Sequence, residues 1–314
     1  MRQQRRWGRR AAILAVLLSA PVLVLSAVTA SAAPATRRPV AQGLYRGFTD
    51  PQAVIIEGYS ATAMEPFISR DGRYLLFNTS NQSPDIAALQ YATSVSPGIF
   101  AYQGPVAGTN DPSFLSGTPS MDDDGNLYFV SPRSYSQTLS TVYTGSFASG
   151  RVASVHLVPG LGAAAAGTVD FDVEVSPDGA SLYVSVGQFN GAAAPQSAVL
   201  SIYDRTGSSF TLDPRSARIL RAVNKRGMLT YTASISTDGL ELFFTRANPA
   251  GGNPAIYRAV RRTSGQPFGH VQRLAAITGF AEAPSLSADG STLYYHLLVG
   301  SQFDIESVTR PATS

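Results

Sequence analysis

One phrase limits what this chain can fold into: Pro284-Ser-Leu-Ser-Ala-Asp-Gly-Ser-Thr-Leu-Tyr-Tyr295, with variants at residues 66–77, 119–129, 173–184 and 233–244. Each version carries an apolar residue, an Asp-Gly pair, and a Leu followed by aromatic or apolar residues. Asp can hydrogen-bond its own backbone and Gly accepts positive φ without a Cβ clash, so the pair suits a tight reversal. Before the turn one apolar column holds Ile68, Met121, Val175, Ile235 and Leu286. After it a second column holds Leu75, Leu127, Leu182, Leu242 and Leu293, followed by Leu76, Tyr128, Tyr183, Phe243 and Tyr294 and then Phe77, Phe129, Val184, Phe244 and Tyr295. Aromatic and β-branched residues bounded by turn chemistry read as strands. Strands apolar on both faces read as buried ones.

The turn glycines Gly72, Gly125, Gly179, Gly239 and Gly290 are spaced by 53, 54, 60 and 51 residues. Such a period exceeds one hairpin and leaves room for two more strands per repeat. Four-stranded sheets repeated radially make a β-propeller. The expected fold is therefore all-β, with five four-stranded blades over residues 44–314. Stretches such as Ser140-Thr-Val-Tyr-Thr144, Val199-Leu-Ser-Ile-Tyr203 and Ala255-Ile-Tyr-Arg-Ala259 supply third strands. The last repeat ends near Phe303-Asp-Ile-Glu-Ser-Val308, one strand short, and residues 52–58 occupy the matching position at the start of the chain. Pairing of these two ends would close the ring and remove its open sheet edges. Residues 79–117, where the pattern is faint, have room for a degenerate sixth unit. No helix is expected after the leader.

Residues 1–10 carry five Arg and no acid, residues 11–30 are almost wholly apolar or small, and Ala30-Ser31-Ala32 offers a small-residue cleavage site. Residues 1–32 thus read as an export signal, with 33–43 as a flexible lead-in. The apolar stretch is also long enough to span a bilayer, so a retained anchor is the alternative. The pairs Arg5-Arg6 and Arg9-Arg10 permit the twin-arginine route as well as the general one.

The whole chain has 24 basic and 21 acidic side chains, but residues 33–314 keep 19 and 21, a formal charge of −2. The basic character belongs to the leader. A near-neutral remainder has no broad electrostatic reason to seek nucleic acid, and Lys225-Arg226 and Arg258-Ala-Val-Arg-Arg262 read as solvated strand ends or turns. No cysteine is present, which excludes disulfides, thiolate metal sites and cysteine nucleophiles. About 280 residues bury enough surface to hold a core without such staples, and a monomer without membrane contact after cleavage is expected.

With these residues in view, the pattern Pro-Ser-Leu-Ser-Ala-Asp-Gly-x-x-Leu-Tyr, followed by an Ile-Tyr or Asp-Ile strand and by Pro267-Phe-Gly-x-Val-Gln-Arg-Leu274, resembles the WD40-like (PD40) repeats of TolB-type bacterial propellers. The resemblance covers residues 44–314. It implies a binding or scaffolding module whose partner, a protein or a polysaccharide of the cell envelope or exterior, is unspecified. No counterpart of the extra N-terminal domain of TolB itself is expected from these residues.

Chemistry is sparse. His156, His270 and His296 belong to no close metal-ligand spacing and read as structural. A nucleophile-elbow motif is lacking, and neither a cofactor nor a metal is implied. Asp122-Asp123-Asp124-Gly125 lacks the ligand spacing of a calcium loop and sits at the repeat's turn. Gly160-Leu-Gly162 opens no helix. Carboxylates are the remaining candidates: residues just before each signature should line the axial channel, and these are Glu65, Thr118, Asp172, Thr232 and Ala283, with Asp170, Tyr231 and Glu282 close by. As a binding set they are Glu65, Asp170, Asp172, Tyr231 and Glu282. As an acid and base pair, Glu65 and Asp172 would suit a polysaccharide hydrolase or lyase if their separation fell in the range of about 5–9.5 Å that glycoside hydrolysis uses. The only tryptophan is Trp7, in the leader, which weighs against sugar stacking. The expectation is an exported, non-catalytic binding propeller, secreted or periplasmic, with the hydrolase or lyase as alternative.

Overall fold

The computed structural model describes residues 47–81, 86–192 and 194–311. The leader and the lead-in at 33–43 lie outside them. Among the described residues the chain forms twenty-one strands, β1 (Thr49–Ala53), β2 (Ile55–Glu57) and then four sets of four and one of three. Blade 1 is β3 (Met64–Ile68), β4 (Tyr74–Asn78), β5 (Leu89–Ser96) and β6 (Ile99–Pro105); blade 2 is β7 (Gly117–Met121), β8 (Asn126–Val130), β9 (Val142–Ala148) and β10 (Arg151–Leu157). Blade 3 is β11 (Thr168–Val175), β12 (Ser181–Gln188), β13 (Ser197–Thr206) and β14 (Ser209–Leu212); blade 4 is β15 (Leu229–Ile235), β16 (Glu241–Ala247), β17 (Ala255–Val260) and β18 (Gly269–Arg273). Blade 5 is β19 (Ala281–Leu286), β20 (Thr292–Val299) and β21 (Gln302–Thr309), completed by β1. The innermost strands touch in the cycle β3, β7, β11, β15, β19 and back to β3, so the sheets stand in a closed five-bladed β-propeller. The described residues of 79–117 hold the β5–β6 hairpin of blade 1 and no sixth blade. Among the described residues helix is confined to one 3-10 turn, Pro132–Ser134, and two four-residue pieces, Tyr135–Thr138 and Ser216–Ile219.

The repeated phrase builds its hairpin locally. In four blades a serine opens the turn, and its hydroxyl donates to the Asp two residues on while accepting the N–H five residues on: Ser69 with Asp71 and Tyr74, Ser176 with Asp178 and Ser181, Ser236 with Asp238 and Glu241, Ser287 with Asp289 and Thr292. Asp122 replaces that serine in blade 2, and its carboxylate takes the N–H groups of Asp124 and Asn126. Turn chemistry therefore accounts for Asp122. Each turn glycine, from Gly72 to Gly290, sits at φ between 66° and 79°, where a Cβ would be strained.

Successive columns after the turn alternate between seams. Leu75, Leu127, Leu182, Leu242 and Leu293 each pack into the cluster shared with the preceding blade, whereas Leu76, Tyr128, Tyr183, Phe243 and Tyr294 pack into the cluster shared with the next. The five apolar clusters are the five seams of the ring. This is why the second strand is apolar on both faces: strand residues alternate sides, and both sides are interior.

The closing strand differs from the expected residues 52–58. Thr49–Ala53 pair antiparallel with β21, with Ala53 opposite Glu306. The chain then leaves blade 5 at Val54, whose N–H still donates to the Ile305 carbonyl, and Ile55–Glu57 add to β6 of blade 1 as a fifth, parallel strand. An apolar run that reads as one strand is thus shared by two sheets across the seam that closes the ring.

Each innermost strand carries a register break beside the axis: Met64/Phe67, Gly117/Ser120, Asp170/Asp172, Tyr231/Ala233 and Glu282/Ser285. Four of the five bulged positions, Glu65, Thr118, Thr232 and Ala283, take φ near +50° without being glycine. Such conformations cost on the order of 1 kcal/mol each and persist only where neighbours hold them.

Candidate functional site

The neighbours that hold these bulges come from the blade before. The N–H of Glu65 donates to Nδ1 of His296, that of Thr118 to Asn78, that of Thr232 to Ser185 and that of Ala283 to Thr245, all at 3.0–3.1 Å. In blade 2 the equivalent column position is Val130, which has no acceptor, and the bulge it faces, between Asp170 and Asp172, is the one without positive φ. A second ring runs beside the first. Ser285 accepts the N–H of Ile68, Ser120 that of Val175, Glu174 that of Ile235 and Ser234 that of Leu286. Phe67 interrupts it. These side chains follow or precede the apolar columns by one residue, and that position is the sequence signal from which they could have been read.

On this scaffold Glu65, Thr118, Asp172, Thr232 and Ala283 line one central cavity of about 20 Å³, space for roughly one water. Tyr231 and Glu282 join it through a chain of hydrogen bonds. The Tyr231 hydroxyl donates to Oε1 of Glu282, and Oε2 of Glu282 lies 3.2 Å from Nε2 of the buried His296. Because Nδ1 of His296 accepts the Glu65 N–H, the ring proton sits on Nε2 and is donated to Glu282. The histidine thereby ties blade 5 to blade 1. His156 and His270, by contrast, are exposed on outer strands. Asp170 does not line the cavity: its carbonyl accepts the Thr141 hydroxyl from blade 2 and its charge acts on Tyr203.

Burial dominates the electrostatics. It raises Glu65 well above the usual carboxylate range, with the charges of Asp172 and Glu282 adding to it. Asp172 is pushed up to about 7 by burial, opposed by the Ser185 hydroxyl and reinforced by the Glu174 charge. Asp170 is pushed up to about 6, again by burial. The Tyr231 hydroxyl is raised well above its ordinary value by burial and by Glu282. Oε2 of Glu65 and Oγ1 of Thr118 are buried without a hydrogen-bond partner. Among the described residues no cluster of three or more metal-ligating side chains occurs.

An acid raised on folding favours the protonated folded state, so the stability it contributes is present below its unfolded pKa and is lost as pH rises to its folded one. For Asp172 that window runs from about 4 to about 7. Asp172→Asn keeps an acceptor for Ser185 and removes the charge. The variant is expected to exceed wild type in stability by about 1 kcal/mol or more at pH 8 and to gain nothing below pH ~4. Thermal melts of both proteins at the two pH values test this, and a difference independent of pH would refute it.

Glu174 of blade 3 also lines the cavity, and Arg70 of blade 1 reaches it at 3.0 Å and the Val175 carbonyl at 3.0 Å. Glu174 also accepts the Ser120 hydroxyl of blade 2 and the Ile235 N–H of blade 4. Four blades therefore meet at one buried carboxylate. The basic cluster at 258–262 is not simply solvated: Arg258 and Arg310 both pair with Glu241, which is fully buried, and Arg261 lies over the Phe268 ring at 4.3 Å.

No family model matches the chain, and no curated protein matches it. Among solved structures it is similar to TolB from Acinetobacter baumannii (17% identity, TM-score 0.44), covering 81% of this chain and 56% of that one. A glycoside hydrolase is similar at 13% identity and TM-score 0.58, covering 85% and 93%. A family 117 glycoside hydrolase from the marine bacterium Zobellia galactanivorans is similar at 11% identity and TM-score 0.50, covering 84% and 90%. The chain spans little more than half of the TolB length. At these identities the likeness is one of fold, and the fold is a five-bladed propeller.

Proposed function

We propose that this protein is an exported, non-catalytic binding module whose recognition takes place on the faces of the propeller and not by chemistry on its axis. One observation carries the reading: the axial carboxylates enclose about 20 Å³, far below the several hundred Å³ that a small-molecule site needs. Beside them the Glu65 N–H donates to His296 of blade 5 and Glu282 accepts the Tyr231 hydroxyl of blade 4, so the region joins neighbouring blades. The partner is a protein or polysaccharide of the cell envelope or exterior, and export rests on the Arg-rich, apolar leader.

A hydrolase or lyase is the second reading. Glu65 and Asp172 are both raised toward the range where a carboxyl serves as a general acid, and glycoside hydrolases share the fold. Incubating the purified protein with a panel of polysaccharides, and following new reducing ends and unsaturated products, separates the two. No turnover is expected. Turnover abolished by Glu65→Gln or Asp172→Asn would put the enzyme first.

A further inference from the structure

Three of the five blade seams are finished at the Asp-Gly end by a guanidinium. One position at the end of the third strand donates its N–H to the residue after the turn: Arg205 to Ala180, Arg261 to Leu240 and Arg310 to Ser291. Each of these arginines sends Nε to the carbonyl of its turn glycine, Gly179, Gly239 or Gly290, at 2.6–2.8 Å. Each lies over an aromatic ring, Phe210, Phe268 or Phe48, at 4.3–4.6 Å. Their terminal nitrogens reach the previous blade, at Tyr128, Tyr183 and Glu241.

At the seam of blades 1 and 2 the same register position is Phe147, whose N–H donates to Gly125. A phenyl ring cannot fill the place of a guanidinium. A groove of about 560 Å³ opens there, lined by the turns of both blades, including Tyr74 and Asp122 to Asp124, and by Phe147. Tyr74 and Phe147 meet edge to face at 5.2 Å. Of the charged groups on the groove, Arg73 pairs with Asp71, Arg70 pairs with Glu174, and Asp122 is hydrogen-bonded within its turn. Asp123 and Asp124 remain exposed with no ion-pair partner among the described residues. The Arg73 guanidinium already lies 5.5 Å from the Tyr74 ring, so the aromatic wall tolerates a planar cation.

We propose that this groove takes an arginine side chain from a partner polypeptide, with the guanidinium seated against Tyr74 and Phe147 and paired with Asp123 and Asp124. An incoming arginine would supply beside Phe147 the guanidinium that the seams of blades 2 and 3, 3 and 4, and 4 and 5 carry; at the seam of blades 5 and 1 this register holds Ser94, whose N–H donates to the Arg73 carbonyl. Guanidinium is suited to this by its planarity, which serves carboxylates and aromatic faces together. The inference rests on the binding-module reading and deepens it by naming the partner's chemistry.

The test is ligand-observed saturation-transfer NMR with the purified protein and a capped glycine tripeptide whose middle residue is arginine. Transfer to the arginine side chain is expected, and its loss when citrulline replaces arginine. Phe147→Arg, which installs the guanidinium of three other seams, is expected to abolish transfer. Asp123→Asn with Asp124→Asn, both exposed changes that leave the melting temperature unaltered, is expected to weaken binding about fivefold. Equal transfer to the citrulline peptide, or undiminished binding by either variant, would overturn the groove as an arginine site. Absence of transfer from a protein that also turns over no polysaccharide would overturn the groove alone. Turnover with arginine-dependent transfer intact would support the groove and overturn the non-catalytic reading.

Discussion

Replacing Arg310 with alanine is expected to lower the unfolding free energy by about 2–3 kcal/mol, the cost of losing charge-assisted hydrogen bonds to a buried carboxylate that keeps Arg258 as its remaining ionic partner. Arg310 follows the last strand, and its side chain is fully buried against the fully buried Glu241 of blade 4. Two guanidinium nitrogens meet the two carboxylate oxygens, a bidentate geometry that adds direction to charge. The same guanidinium lies 4.5 Å from the ring of Phe48, which precedes the closing strand, and 5.9 Å from Phe243 of blade 4. One side chain therefore fastens both ends of the described chain to blade 4. Urea melts followed by far-UV circular dichroism measure the loss. A cycle with Glu241→Gln should show a coupling of roughly 2 kcal/mol, since the two groups share one network. An unchanged urea midpoint for Arg310→Ala would refute the latch.

Glu174→Ala is expected to cost about 3 kcal/mol or more, because it removes the acceptor for donors from three other blades. The main penalty is the Arg70 guanidinium, whose side chain is only 7% exposed and would lose its ionic partner. Glu174→Gln retains one acceptor oxygen and should fall between the variant and wild type. Arg70→Met in the Glu174→Ala background should recover part of the loss, since removing both charges is cheaper than removing one. If Glu174→Ala melts as wild type does, the carboxylate is not a hub of the ring.

The turns and blade count were legible because their physics is local. The Ser-x-Asp-Gly hydrogen bonds close within five residues, and the two-residue alternation of Leu75 and Leu76, or Leu182 and Tyr183, is written directly in the chain. The closing strand was half legible. The run at 52–58 signals a strand that pairs the two ends of the chain, but not that Ala53 pairs with β21 while Ile55 pairs with β6.

The candidate site was legible as a set of positions and not as an environment. Glu65 and Asp172 stand at the same repeat position and do meet at the cavity, whereas Asp170 differs by a bulge that turns it toward another seam. The column holding Asn78, Ser185, Thr245 and His296 was overlooked because its members share no residue type. Their common trait, an acceptor aimed at the next blade's bulge, exists only once the blades are packed.

By itself the sequence determined the hairpins, the repeat length and the apolar columns, because each depends on residues a few positions apart or on strict alternation. Only the tertiary structure decided that the axial channel shrinks to the size of a water, that Arg70 finds Glu174 over a separation of 104 residues, and that the seam beside Phe147 stays open. Those outcomes depend on side chains from different blades competing for the same space and charge, and no local pattern carries that information.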